Sequence, residues 1–186
     1  MRKNTMMSDK NLVWIDLEMT GLNIAQDVIL EIATIITDRD LNIMAEGPSY
    51  VIHHSDQTLR IMGEYVHTMH TKSGLVAQVK SSNISLDDAY KQTLDFIKTY
   101  CIKNSAMLAG NSVWQDRLFL EKYMPEITGY LHYRLIDISS IKMLVRSWYP
   151  QSPYVEFKKP ETHRAFEDIK QSVEELKHYR KYFFIA

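Results

Sequence analysis

Three groups of residues have the types and the spacing to do chemistry. The first is Asp16-Leu17-Glu18, inside the apolar run 12–22. The second is Gly110-Asn111-Ser112-Val113-Trp114-Gln115-Asp116. The third is His163-Arg164-Ala165-Phe166-Glu167-Asp168. A strand sends alternate side chains to opposite faces, so Asp16 and Glu18 share a face with Trp14, about 6.5–7 Å apart. Unpaired buried charge is costly, and two acids on an otherwise apolar strand call for a counter-charge. A divalent cation with oxygen ligands meets that need. The alternative is an edge strand with a solvated acidic face, and the run alone slightly favours it. Asp116 and Asp168 have their own plain reading, as acids that favour the N-terminal dipole of a helix by a few tenths to ~1 kcal/mol. Glu167 reads as a solvated helix residue.

Taken together, the acids mean more than they do singly. Four carboxylates at one cleft repel each other unless metal is present. They suit two divalent cations about 3.5–4 Å apart, clamping the attacking and leaving oxygens of a phosphoryl displacement. Mg2+ or Mn2+ fits an all-oxygen ligand set best. A single histidine beside them suits a general base that activates water. His163 and Asp168 would lie ~140° apart on one continuous helix. The upstream Pro160 instead places His163 in a loop, free to reach over the same cleft as Asp168. The sequence has no zinc-type Cys/His cluster, no Gly-x-Ser-x-Gly elbow, no Walker-type phosphate loop and no Gly-x-Gly-x-x-Gly.

The elements that must position these groups follow from periodicity. Strands are expected over 12–19, within 28–37 and within 43–53, joined by short links as an antiparallel meander. Leu59, Ile61, Met62, Tyr65, Val66 and Met69 recur at helical spacing, and Leu75, Val76 and Val79 suggest a second short helix. Ser85 caps an amphipathic helix through Cys101, with acid at its third position. A short buried strand spans 106–111. Ser112 caps a helix that ends before Pro125. Another strand covers 131–136, Ser139 or Ser140 caps a helix through Trp148, and the last helix begins near Thr162. Strands that come first as a meander and then alternate with helices predict an α/β architecture with a mixed sheet flanked by helices.

Composition narrows the partners. The 186 residues suit one domain over 11–186 after a polar, disordered tail over 1–10. A net charge of −1 argues against a broad basic surface that tracks long nucleic acids, and leaves room for a short nucleic-acid substrate. Cys101 is the sole cysteine, so no intrachain disulfide forms and a reducing, cytoplasmic home is expected. No apolar run approaches a membrane span, and no apolar signal core follows the start.

Asp-x-Glu in an opening strand, a mid-chain Asp and His-x4-Asp near the end resemble the pattern of the DEDDh 3′→5′ exonucleases, whose fold is ribonuclease H-like. The words Trp14-Ile15-Asp16-Leu17-Glu18-Met19-Thr20-Gly21-Leu22, Gly110-Asn111-Ser112, Gln115-Asp116-Arg117, Lys122-Tyr123-Met124-Pro125 and His132-Tyr133-Arg134 are similar to the oligoribonuclease branch over nearly the whole chain. The resemblance implies a five-stranded sheet whose first three strands are antiparallel and the rest parallel. It implies that Asp16, Glu18, Asp116 and Asp168 hold two metal ions and that His163 is the general base. It implies removal of 5′-mononucleotides from the 3′ end of very short RNA, chiefly dinucleotides, by a homodimer whose second chain completes each site. Leu22 would wedge against the bases and His70 would shape the base pocket. Tyr65 would stack on a base where the family usually carries Trp, and stacking is worth ~1–3 kcal/mol per base. Tyr133, Arg134 and Ser139, with Ser112, would hold the 5′ phosphate. A general exonuclease on single-stranded DNA or RNA ends is the alternative within the enzyme class. A non-hydrolytic nucleotide-binding module is the alternative outside it.

Overall fold

The computed structural model describes residues 10–158 and 163–185. Five strands form one sheet in the order β3-β2-β1-β4-β5. They are β1 (Leu12–Met19), β2 (Ile29–Thr37), β3 (Ile43–Val51), β4 (Met107–Gly110) and β5 (His132–Asp137). β1 pairs antiparallel with β2, and β2 with β3; β1 pairs parallel with β4, and β4 with β5. The sheet is therefore the mixed one that the order of elements predicts. β1 lies at its centre, which overturns the edge-strand reading of Asp16 and Glu18. All nine residues of β2 are buried as well, as a strand covered on both faces requires.

Alternation along β1 divides the core. Val13, Ile15 and Leu17 pack with Ala89, Leu94 and Ile97 of α4 (Leu86–Tyr100), Phe119 and Leu120 of α5 (Val113–Tyr123) and Ile127 of α6 (Pro125–Tyr130). Leu12 and Trp14 face the other way, onto Ile138 and Val145 of α7 (Ile138–Trp148) and Ala165, Ile169, Val173 and Tyr179 of α8 (Ala165–Phe183). Asp16 and Glu18 continue this second face, towards the end where α8 begins. The Trp14 indole donates to Thr37 Oγ1 at 2.9 Å, which satisfies the polar atom of a fully buried ring. A smaller cluster joins Leu30 to α1 (Asp56–Leu59) and α3 (Leu75–Ser81).

Several boundaries differ from expectation. The helical stretch around 59–69 is two helices, α1 and α2 (Glu64–Lys72), because a turn intervenes before Gly63, which stands at the N-cap of α2. α6 starts on Pro125, an unforeseen helix in which proline fills the first position, where no N–H is needed. Ser85 closes a full capping box with Asp88, as expected. Ser139 and Ser140 do not cap α7. Asp137 does, accepting from both of their N–H groups. Ser112 stands at the N-cap of α5 but makes no cap bond, and its φ of 50° is left-handed. The last helix starts at Ala165, and Thr162, where it was expected, lies outside the described residues, as do residues 1–9 of the tail.

Candidate active site

The carboxylates converge where β1, α5 and α8 meet. Asp16 and Glu18 come from the central strand and Asp168 from the first turn of α8. One oxygen from each lies within 4.8 Å of the others. Asp116, in the first turn of α5, is 6% exposed, and its Oδ1 accepts the Leu17 N–H at 3.0 Å. It is held to the backbone between the two acids of β1.

Burial is the main force on these groups. It pushes Glu18 up to about 8, with Asp168, Glu31 and Asp116 adding repulsion and Arg164 opposing it. It pushes Asp116 up to about 7, against the pull of the Leu17 and Asp116 backbone N–H groups. Asp16 is raised well above the ordinary carboxylate range, first by burial and then by Asp116, Glu18, Asp168 and Glu31. Crowded, desolvated acids of this kind exist as carboxylates only beside positive charge. Three clustered carboxylates and a fourth adjoining fit hard divalent cations, which take oxygen ligands.

The histidines flank this cluster differently. His163 precedes α8 in a loop, at a left-handed φ of 48°. It borders a cleft of about 690 Å³ lined also by Glu64, Tyr65, Thr68, Met69, Lys72 and Ser73. Tyr65 is 78% exposed on the wall of that cleft, open to stack on a base. His70 is fully buried. Its Nε2 donates to the Met19 carbonyl at 2.9 Å, which leaves Nδ1 as a lone pair 3.8 Å from Glu18 Oε2. That nitrogen has no hydrogen-bond partner. Burial, and to a lesser degree nearby His163, pulls the His70 ring below the usual imidazole range. His70 therefore supports the end of β1 from beneath.

Leu22 is 68% exposed on the loop after β1. The loop is fixed from inside by Asp27, which accepts from Thr20 Oγ1 and the Asn23 N–H, both at 2.8 Å. It is fixed from outside by α5, whose Gln115, Lys122 and Tyr123 donate to the carbonyls of Leu22, Ile24 and Asp27. Ser112 and Ser139 meet, with Oγ atoms 3.1 Å apart. Ser139 in turn donates to Asn111 Oδ1, and Asn111 donates to buried Glu175 at 3.1 Å. Tyr133 and Arg134 lie on the exposed edge strand β5, the guanidinium 5.3 Å over the phenol ring.

The sequence did not single out Glu31, Asp27, Glu175 or the capping role of Asp137. Glu31 left one signal: it is the single charged residue in the nine of β2, and a buried acid needs a partner.

Comparison with known proteins agrees with this arrangement. The RNase_T exonuclease family model matches residues 13–176. The oligoribonuclease of Klebsiella pneumoniae subsp. pneumoniae is 49% identical over 176 residues, covering 95% of this chain and 97% of that protein. That of Ectopseudomonas mendocina is 48% identical over 181 residues, covering 97% and 100%. Among solved structures, the zinc-bound E. coli exonuclease I–ssDNA complex superposes with a TM-score of 0.73 at 12% identity, over 94% of this chain and 41% of that one. The Mg2+- and Mn2+-bound form of S. pombe Pop2p gives 0.70 at 14%, over 93% and 84%. These distant structures share the fold. The near relatives share almost half of all residues over almost their whole length, and on that ground the chain belongs to the oligoribonuclease family of 3′→5′ exonucleases.

Proposed function

We propose that this enzyme hydrolyses very short RNA, chiefly dinucleotides, to 5′-mononucleotides, as a cytoplasmic homodimer. The observation that carries the reading is the cluster of half-buried Asp16 and Asp168 with buried Glu18, with Asp116 adjoining and His163 at the lip of an open cleft. Those four carboxylates would hold two divalent cations, Mg2+ or Mn2+. When bound, the cations supply charge neutralisation at the reacting phosphate and acidify water.

The chain's own residues do the rest. Leu22 and Tyr65 hold the bases, one by apolar contact and one by stacking. The paired hydroxyls of Ser112 and Ser139, with Tyr133 and Arg134 from β5 of a second chain, hold the 5′ phosphate; a guanidinium fork suits that anion. A cap closed over the 5′ phosphate would leave no place for the next nucleotide of a longer strand. His163 takes a proton from water as the water oxygen attacks phosphorus. The bond from phosphorus to the 3′ oxygen breaks, and that oxygen leaves as a hydroxyl after taking a proton from solvent. Incubation of a 3′-labelled diribonucleotide with Mn2+ is expected to release labelled 5′-mononucleotide, and EDTA to stop it. A labelled nucleoside, or cleavage that survives EDTA, contradicts the mechanism. Recovery of intact bound dinucleotide would support the binding-module alternative.

A further inference from the structure

Glu31 presents a problem that the proposed mechanism leaves open. It stands directly across the β1–β2 ladder from Glu18 and is 1% exposed. Like charges opposite each other on a sheet destabilise it. Glu31 also adds to the repulsion on both Asp16 and Glu18. A fifth acid so close to a metal cluster looks like a fifth ligand. Its hydrogen bonds say otherwise. Oε2 accepts from Arg164 Nε at 3.1 Å and from the Ala165 N–H at 3.4 Å. Oε1 accepts from Arg164 Nη2 at 2.9 Å and from Ser49 Oγ at 3.3 Å. A carboxylate has about four lone-pair sites, so its accepting capacity is filled.

What these bonds hold is the start of α8. No side chain at Arg164 caps this helix, and Glu31 supplies the missing anion from a strand instead. Arg164 is pinned further, since Nη2 also donates to Gln78 of α3 at 2.9 Å. Its own carbonyl accepts the Asp168 N–H at 3.0 Å. The residue before it is His163, whose left-handed backbone is one that a non-glycine residue keeps only when its surroundings impose it. We propose that Glu31 and Arg164 form a positioning clamp, in which a bidentate pair on a buried carboxylate fixes His163 and Asp168 relative to the acids of β1.

The clamp deepens the proposed function and rests on His163 and Asp168 acting as assigned there. Its test is a double-mutant cycle of Glu31→Gln and Arg164→Ala, with Arg164→Lys beside it. Turnover is measured on a dinucleotide and on a long single strand, with Mn2+ affinity by calorimetry and the thermal midpoint alongside. Each single variant is expected to lower kcat about 100-fold, the order of loss that a misplacement near 1 Å causes, with KM unchanged and Mn2+ affinity lowered to the same extent in both, because each frees Asp168. The double variant should lose no more than the worse single one. Arg164→Lys should recover only part of the rate, because an ammonium lacks the fork, and added guanidinium should raise the rate of Arg164→Ala. The clamp acts on the catalytic groups and not on the substrate, so the fold-loss relative to wild type is the same on both substrates. Substrate preference of the wild type is a separate reading, and its failure leaves this ratio intact. Loss of Mn2+ binding in Glu31→Gln with Arg164→Ala still binding it would make Glu31 a ligand and overturn the clamp. Wild-type kcat in either variant, additive losses in the cycle, or losses that track the fraction unfolded would overturn it as well.

Discussion

At the scale of single residues, burial raises Asp16, Glu18 and Asp116 towards protonation, with neighbouring acids adding to it at Asp16 and Glu18, and the consequences are measurable. Glu18 at about 8 and Asp116 at about 7 stand above their ordinary values of 4.5 and 3.8. Between these limits the folded, metal-free chain holds protons that the unfolded chain has lost. Stability therefore falls as pH rises through this window. Metal binds the deprotonated acids, so its stabilising effect grows over the same window. Thermal midpoints in EDTA should drop from about pH 5 to about pH 8, and the gap to the Mn2+ midpoints should widen. A gap that stays constant would contradict the shifts. Asp168→Ala removes one repelling charge, so turnover should fall to background while the metal-free midpoint holds or rises; retained turnover would show that Asp168 is not a ligand. His163→Ala should lower kcat about 10²–10⁴-fold and remove the acid limb of the pH–rate profile, where the imidazole must first lose its proton. An unchanged profile would assign the base elsewhere. The convergence of Asp16, Glu18 and Asp168 was legible because their types and order resemble a family pattern. Glu31 was not, because its partner Arg164 is 133 residues away and only the fold brings them together.

At the scale of elements, strand alternation was the most readable feature. It assigned Trp14, Asp16 and Glu18 to one face of β1, and that face meets α8. Helix starts were less readable where the capping group is not local. Asp137 outcompetes Ser139 for α7, since one carboxylate satisfies two N–H groups there. The Ser139 hydroxyl is thereby left to pair with Ser112 and Asn111. The loop after β1 shows the same economy. A Cβ at Gly21 would lie 2.5 Å from Asp27 Oδ2 and 2.8 Å from its Cγ. Asp27 is buried and bonded at both oxygens, so it cannot swing aside. Gly21→Ala should cost about 1–3 kcal/mol of stability and displace Leu22. Kinetics on a dinucleotide should then show a raised KM with Mn2+ affinity intact; a wild-type KM would mean that Leu22 does not touch the bases.

At the scale of the whole molecule, the sheet ends on one side at β5, which pairs only with β4. Exposed apolar residues include Trp114 and Leu118 of α5, Tyr133 of β5, and Met143, Leu144 and Trp148 of α7. Arg117, on the same face of α5 as Trp114 and Leu118, donates to the Tyr133 carbonyl at 3.0 Å and ties that helix to the edge. The proposed second copy would use such exposed apolar groups and bring Tyr133 and Arg134 to the neighbouring site. Leu144→Asp, at an exposed position, should leave the thermal midpoint of the monomer near wild type, convert the dimer to monomer by light scattering, and remove dinucleotide turnover. Full turnover as a monomer would contradict a shared site. Sheet order was legible because a meander followed by strand–helix alternation permits few topologies. The proposed dimer rests on the resemblance, because an edge exists only once strands are ordered. Among the described residues, no helix is long and apolar enough to cross a membrane. The net charge of −1 fits a substrate with very few phosphates. The most direct measurement is kcat/KM in Mn2+ for a 5′-phosphorylated dinucleotide against that for a long single strand of the same bases. A site closed over the 5′ phosphate predicts a large preference for the dinucleotide that disappears in Arg134→Ala. Faster digestion of the long strand would contradict it.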